Sequence, residues 1–222
     1  MKYKMCVWDL DGTLLNTLPT LHHFDNEALK KYNLHPVTME QSKILIKHSV
    51  EDYHSTLLKY GGCPEDRINE IIDEFGKYNL ALYLDNFSYK TEEFKGVRDT
   101  IHKLNNLGIV NVVFSNKPNE IAQKLVRKFF NEQEIKFIIA QTNDSKPKPY
   151  VGCTDNLMKE AKLDKSELLI IGDTEVDMLA AKNNGIDVVA VKWGYQDEKV
   201  LLSYNPTHII ENPEDLLNIV KE

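Results

Sequence analysis

Four short apolar runs that each end in polar residues place the strongest constraint on the fold of this chain. A short apolar run bounded by turn signals is typical of a strand buried in a sheet. The runs are Met5–Trp8 before Asp9-Leu10-Asp11-Gly12-Thr13, Val110–Phe114 before Ser115-Asn116-Lys117, Lys136–Ala140 before Lys146-Pro147-Lys148-Pro149, and Leu168–Ile171 before Gly172-Asp173-Thr174-Glu175-Val176-Asp177. In an open parallel sheet, ligands bind beyond the carboxyl ends of the strands. The pattern therefore predicts that these polar residues converge on one crevice.

Segments with helical periodicity alternate with strands from about residue 95 onward. Helices are predicted at about 96–107, from Pro118, at 152–162 and 174–184, and from Pro213, with further strands at Val188–Val191 and Thr207–Ile210. Alternation of this kind implies right-handed crossovers and a parallel sheet with helices on both faces. We therefore expect a Rossmann-like α/β core.

The segment 17–92 interrupts this alternation because its apolar residues recur at helical spacing. Leu21, Phe24 and Ala28 follow this spacing. Pro64, followed by two acidic residues, is typical of a helix start. We expect a helical cap domain at 17–92, inserted into a core domain formed by 1–16 and 93–222.

Asp9 and Asp11 are two carboxylates, one residue apart, at the end of the first strand. Strand residues i and i+2 point to the same side, so both side chains can approach one point. Like charges this close raise each other's pKa unless a cation neutralises them, and Mg²⁺ with its oxygen ligands would do so. The pentapeptide alone is equally compatible with a solvated acidic turn. The polar ends of the other strands favour a site.

Composition and charge exclude several classes of protein. A net charge of -7 over 222 residues argues against nucleic acid as a partner. Cys6, Cys63 and Cys153 are odd in number and widely spaced, which favours free thiols in a reducing compartment. Asp9 and Asp11 interrupt any N-terminal signal sequence, and no apolar run reaches the length of a membrane span. We expect a cytoplasmic protein that binds neither membrane nor nucleic acid.

The order and spacing of the four motifs resemble the haloacid-dehalogenase-like hydrolase superfamily, and most closely its phosphoglycolate-phosphatase-like branch. The resemblance covers the whole chain, including the helical insertion after the aspartate motif, Trp193-Gly194-Tyr195 and the tail Pro213-Glu214-Asp215-Leu216-Leu217. It implies a magnesium-dependent phosphatase that hydrolyses a small phosphate monoester through an aspartyl-phosphate.

The resemblance also implies roles for the aspartates. Asp9 is expected to be the nucleophile, and Asp11 the general acid and then the general base. The implied Mg²⁺ ligands are the Asp9 carboxylate, the Asp11 backbone carbonyl and Asp173. Asp177 follows Asp173 by four residues and is expected to lie outside the metal's direct ligands.

The other motifs are expected to bind the phosphate. Phosphoryl transfer depends on positioning and on neutralising the charge of the equatorial oxygens. Ser115 would donate its hydroxyl, and the Asn116 backbone N–H is expected where a helix begins, which favours anions. The alternative for Ser115 is a helix N-cap. In the family the lysine before the first proline is catalytic, so Lys146 is assigned that role and Lys148 is expected on the surface.

The cap is expected to recognise the leaving group. Lys47 stands where relatives carry a glycine, and Lys47 and His48 either bind a second anionic group or lie in a solvated turn. A sugar phosphomutase or pyrophosphatase on the same core, or a non-catalytic binding protein, are the alternative functions. The expected partner is a small phosphorylated metabolite, and the expected assembly is a monomer or homodimer.

Overall fold

The structure is a computed structural model that describes residues 1–46, 50–142 and 144–221. It consists of two compact units, a core unit formed by Met1–Asn16 with Glu93–Glu222 and a helical unit formed by Thr17–Glu92. Lys47 and His48, for which an anion-binding role was considered, lie outside the described residues.

A parallel sheet forms the centre of the core unit. The strands of the chain are β1 (Met5–Trp8), β2 (Leu15–Asn16), β3 (Glu92–Glu93), β4 (Val110–Pro118), β5 (Phe137–Gln141), β6 (Leu168–Gly172), β7 (Asp187–Val191) and β8 (His208–Ile210). Six of them form one sheet in the order β5-β4-β1-β6-β7-β8, and each neighbouring pair is parallel.

Helices follow these strands along the chain. They are α1 (Leu18–Lys31), α2 (Met39–Leu45), α3 (Val50–Tyr60), α4 (Glu65–Asp85), α5 (Val97–Asn106), α6 (Asn119–Phe129), α7 (Asp155–Ala161), α8 (Glu175–Asn184), α9 (Glu198–Ser203) and α10 (Leu216–Ile219). Two 3-10 turns, Lys165–Glu167 and Pro213–Asp215, complete the core unit. Sequence periodicity did not predict the short helix α9.

Both faces of the sheet are covered by packed side chains. In β1, Met5 and Val7 point to one face and Cys6 and Trp8 to the other, and all four are at most 1% exposed. Burial on both faces is the mark of a parallel sheet between helical layers and explains why its strands read as continuous apolar runs. The predicted α/β fold class is confirmed.

The helical unit has its own apolar core. Leu29 of α1, Leu57 of α3 and Phe75 of α4 are completely buried in it. The carboxylate of Asp25 is buried as well, and it accepts hydrogen bonds from Tyr53 Oη at 2.7 Å and Asn79 Nδ2 at 3.0 Å. A buried carboxylate is tolerated when its oxygens are hydrogen-bonded in this way.

Two expectations about the whole chain can be compared with the structure. Cys6, Cys63 and Cys153 are all buried free thiols, as expected. Within the described part of the chain, no helix is both long enough and apolar enough to cross a bilayer.

Candidate active site

The carboxyl ends of three adjacent strands bring the aspartate motifs together. In the parallel register, Trp8 of β1 lies opposite Val113 of β4 and Ile171 of β6. The register continues past the end of β1, since the Asp9 backbone N–H donates to the Ile171 carbonyl at 2.8 Å. The residues that follow each strand therefore meet at one edge of the sheet, as the sequence predicts.

Three buried carboxylates form the centre of this edge. Asp9, Asp173 and Asp177 are each at most 9% exposed. Each offers one carboxylate oxygen, and these oxygens all lie within 4.8 Å of one another. Asp177, which was expected to lie outside the metal's direct ligands, is thus part of the cluster.

Glycines make room for these carboxylates. A Cβ atom on Gly12 would lie 2.3 Å from Asp173 Oδ2, and one on Gly194 would lie 2.1 Å from Asp173 Cβ. A Cβ on Gly172 would lie 2.3 Å from Asp177 Cγ. Real Cβ atoms do not approach other atoms this closely. The two carboxylates therefore occupy space that the side chain of any residue other than glycine at these three positions would fill.

Hydrogen bonds from the core unit fix the Asp173 carboxylate. Its Oδ1 accepts from Thr13 Oγ1 at 2.8 Å, and its Oδ2 accepts from the backbone N–H of Tyr195 at 2.8 Å. Trp193 Nε1 in turn donates to the Thr13 carbonyl at 3.0 Å. The Trp193-Gly194-Tyr195 segment therefore positions Asp173, a role that sequence reasoning did not assign to it.

Lys148, which was expected on the surface, is buried beside the carboxylates. It is 5% exposed, and its Nζ lies 2.6 Å from Asp9 Oδ1 and 2.7 Å from Asp177 Oδ1. The expectation for its position is wrong. A buried ammonium group needs carboxylate partners, and this cluster supplies two.

Lys146, which was assigned the catalytic role, lies elsewhere in the same loop. It is exposed, and it lines a cavity of about 210 Å³ together with Cys153 and Lys159. Asn116 holds the backbone of Lys148, because its side chain accepts from the Lys148 backbone N–H at 2.8 Å and donates to the Lys148 carbonyl at 2.8 Å. No local sequence signal distinguishes the two lysines, since each precedes a proline.

Asp11 pairs with a second buried lysine. Lys117 Nζ lies 3.0 Å from Asp11 Oδ1, and the two side chains are 4% and 13% exposed. The backbone N–H of Lys117 donates to Ser115 Oγ at 3.1 Å. The sequence motif contained Lys117, but sequence reasoning gave it no role.

Ser115 and Asn116 do not lie at a helix start. β4 continues through Pro118, where it pairs with Gln141 of β5 after a shift in register. α6 begins only at Asn119, and its N-cap is Pro118. The expected placement of the Asn116 N–H at a helix N-terminus is therefore wrong, as is the alternative of Ser115 as an N-cap.

Burial and mutual repulsion shift the ionisation of the cluster. Burial raises the pKa of Asp9 to about 7, against the lowering effect of Lys148 and with the Asp177 and Asp11 charges adding to it. Burial also raises the pKa of Asp173 well above its usual value, with Asp9 and Asp177 as further causes. For Lys148, burial disfavours the charged form, but the Asp177 and Asp9 carboxylates outweigh it and raise the pKa.

The donor set suits a divalent cation with a preference for oxygen. Four carboxylates, those of Asp9, Asp11, Asp173 and Asp177, face two ammonium groups, those of Lys148 and Lys117. When all are ionised, two negative charges are in excess. Mg²⁺ would balance this excess, and carboxylate oxygens are ligands that it prefers.

One family model and two known proteins match most of this chain. The model of the haloacid dehalogenase-like hydrolase family matches residues 6–191. Phosphoglycolate phosphatase 1 of Pseudomonas aeruginosa is 27% identical over 217 residues, 96% of this chain and 78% of that protein. Pyrophosphatase PpaX of Halalkalibacterium halodurans is 25% identical over 222 residues, 99% of this chain and 98% of that protein.

A solved structure has the same fold. The crystal structure of a predicted phosphoglycolate phosphatase from Haemophilus somnus matches with a TM-score of 0.90 at 23% identity, over 99% of both chains. The family match covers Asp9 and Asp173 at the ends of β1 and β6 and Lys148 in the loop after β5. This chain therefore belongs to the haloacid dehalogenase-like hydrolase family.

Proposed function

We propose that this protein is a magnesium-dependent phosphatase that hydrolyses a small phosphate monoester through an aspartyl-phosphate on Asp9. The observation that supports this best is the environment of the Asp9 carboxylate. It lies at the end of β1, with Lys148 Nζ 2.6 Å away and Asp173 and Asp177 in the same cluster. An anionic nucleophile beside a fixed cation suits attack on a phosphoryl group, whose transfer depends on charge neutralisation.

In the first step, an oxygen of Asp9 attacks phosphorus and the bond from phosphorus to the leaving oxygen breaks. The leaving oxygen takes a proton from Asp11 and departs as an alcohol. Asp11 fits this role by its position, because it follows Asp9 by two residues, and Lys117 Nζ at 3.0 Å stabilises the carboxylate that remains after the proton has left.

In the second step, water attacks phosphorus and gives its proton to the Asp11 carboxylate. The bond between phosphorus and Asp9 breaks, which releases phosphate and restores the Asp9 carboxylate. Lys148 balances part of the negative charge in both steps, so we assign to it the cationic role that the sequence motif assigned to Lys146.

Mg²⁺ would be held by Asp9 and Asp173, with Asp177 beside them, and would supply positive charge to the phosphate oxygens when bound. The Asp11 backbone carbonyl stays a predicted further ligand. The buried cluster supports this assignment because burial, with the Asp177 and Asp11 charges, otherwise raises the pKa of Asp9 to about 7 despite Lys148. An ionised nucleophile at neutral pH requires a further positive charge to offset these effects.

Ser115 and Asn116 are proposed to complete the phosphate site. Ser115 is 3% exposed and follows the part of β4 that pairs with β1. Asn116 acts chiefly by holding the Lys148 backbone through two hydrogen bonds. This differs from the expected contact of its backbone N–H at a helix terminus.

Inorganic pyrophosphate is a second candidate substrate, because one relative of matching length is a pyrophosphatase. The chemistry at Asp9 is the same for both, with phosphate instead of an alcohol as the leaving group. We therefore include both kinds of substrate in the test.

The test measures Mg²⁺-dependent phosphate release from phosphoglycolate, pyrophosphate, sugar phosphates and nucleotides. Asp9→Asn should abolish release from each substrate, and EDTA should do the same to the native protein. Lys148→Met should lower kcat by at least about a hundredfold, the size typical of losing one electrostatic contact in a transition state.

Lys146→Met is the matched control because the two lysines lie in one loop and only Lys148 contacts Asp9. We expect it to retain activity within about threefold of the native protein, as for a surface change remote from the reacting groups. Equal losses in the two variants would contradict the role of Lys148. Release that persists in Asp9→Asn would contradict the aspartyl-phosphate.

A further inference from the structure

Lys117 is a buried lysine that the two reaction steps do not use directly. We propose that it determines specificity, by favouring phosphate esters whose leaving group carries a negative charge close to the scissile oxygen. The inference rests on the proposed function, because it takes Asp11 as the group that protonates the leaving oxygen.

The two buried lysines of the site have different partners. Lys148 Nζ contacts Asp9 and Asp177, on the side of the nucleophile. Lys117 Nζ contacts Asp11 Oδ1 at 3.0 Å. A cation at this distance from the proton donor also lies close to the first atoms of the leaving group. Lys117 is only 8% exposed, so its charge acts where water screens it weakly.

The charges at the leaving-group side explain what such a cation does. After Asp11 gives up its proton, it carries a negative charge beside the departing alcohol. A leaving group with its own carboxylate or phosphate adds a second negative charge, and the two repel each other. The ammonium of Lys117 attracts both, whereas a neutral alcohol gains nothing from it. Lys117 therefore discriminates between substrates by the charge of the leaving group.

The backbone keeps Lys117 in this position. It lies in β4, and its N–H donates to Ser115 Oγ at 3.1 Å. The backbone that carries the cation is thus held between Phe114, which pairs with Ile139, and Pro118, which pairs with Gln141 after a shift in register.

The experiment compares kcat/KM for phosphoglycolate and hydroxyethyl phosphate, which differ only in that a carboxylate replaces a hydroxymethyl group. The native protein should prefer phosphoglycolate. In Lys117→Met, the ratio of the two kcat/KM values should fall by at least about tenfold, as for the loss of a charge-assisted contact. Lys117→Arg, which keeps the charge, should retain most of the preference.

The ratio of the two kcat/KM values distinguishes a role of Lys117 in specificity from a merely structural role. If Lys117 only supports Asp11, both esters lose the same factor in Lys117→Met, and an unchanged ratio overturns the inference. Lys117→Gln, which keeps an N–H donor on a side chain one atom shorter and removes the charge, gives a second test of the charge if the methionine variant fails to fold. Lys124→Met, at an exposed residue of α6 paired with Glu120, is the control and should leave the ratio unchanged.

Failure of the proposed function has a different signature. Native protein that releases phosphate from neither ester overturns the phosphatase assignment, and the inference with it. Native protein that hydrolyses both esters, with Asp9→Asn inactive and the ratio unaffected by Lys117→Met, retains the proposed function and overturns only the role of Lys117.

Discussion

Replacing Asp9 with asparagine should stabilise the metal-free core unit at neutral and alkaline pH. Asparagine keeps the shape of aspartate without its charge, so it imitates the protonated carboxyl group. Burial, with the Asp177 and Asp11 charges, raises the pKa of Asp9 from 3.8 to about 7 despite Lys148. A carboxyl group whose pKa is higher in the folded than in the unfolded chain lowers the free energy of unfolding as the pH rises between the two values.

The size of the effect follows from these two pKa values. A difference from 3.8 to about 7, at about 1.4 kcal/mol per pKa unit, corresponds to about 4 kcal/mol. The variant should show its full advantage above about pH 7 and a smaller one as the pH falls. The advantage should vanish near about pH 4, where Asp9 is protonated in the folded chain and largely protonated in the unfolded chain.

Urea unfolding in EDTA, followed by tryptophan fluorescence, measures this difference. The two tryptophans of the chain, Trp8 and Trp193, both lie in the core unit, which also holds Asp9. Glu160→Gln, at an exposed position of α7, is the charge-removal control and should change the free energy of unfolding by less than about 0.5 kcal/mol. A variant at Asp9 that is no more stable than the native protein at pH 8 would refute the reasoning.

Three further predictions concern the groups around the cluster. Gly194→Ala should lower the free energy of unfolding by about 1–3 kcal/mol, because its Cβ would lie 2.1 Å from Asp173 Cβ; an unchanged urea midpoint would show that the space is not needed. Asn116→Ala removes both hydrogen bonds to the Lys148 backbone; at about 1 kcal/mol for each bond, kcat should fall roughly thirtyfold with an unchanged circular dichroism spectrum. Mg²⁺ at a hundred times its Kd should raise the free energy of unfolding of the native protein by about 2.7 kcal/mol, and it should not raise that of Asp173→Asn. An equal increase in both proteins would show that the ion binds elsewhere.

Local patterns in the sequence were sufficient to predict the sheet and the position of its aspartates. A strand buried on both faces must be apolar at successive positions, so β1 and β6 are visible as short apolar runs. Asp9 and Asp173 directly follow these two strands, which are neighbours in the sheet. Because the carboxyl ends of parallel strands meet at one edge, the sequence alone predicted that the two aspartates converge.

The tertiary structure alone decided which lysines complete the site. Lys146 and Lys148 differ by two positions in an irregular loop. The backbone of Lys148 is held by Asn116 of β4, and its side chain by Asp9 and Asp177, all distant in sequence. The pairing of Pro118 with β5 likewise extends β4 and carries Lys117 to Asp11 in place of a helix start. Strand periodicity is a local property of the chain, whereas the partner of a buried charge depends on contacts between residues distant in sequence, and this is why the aspartates were predictable and their cations were not.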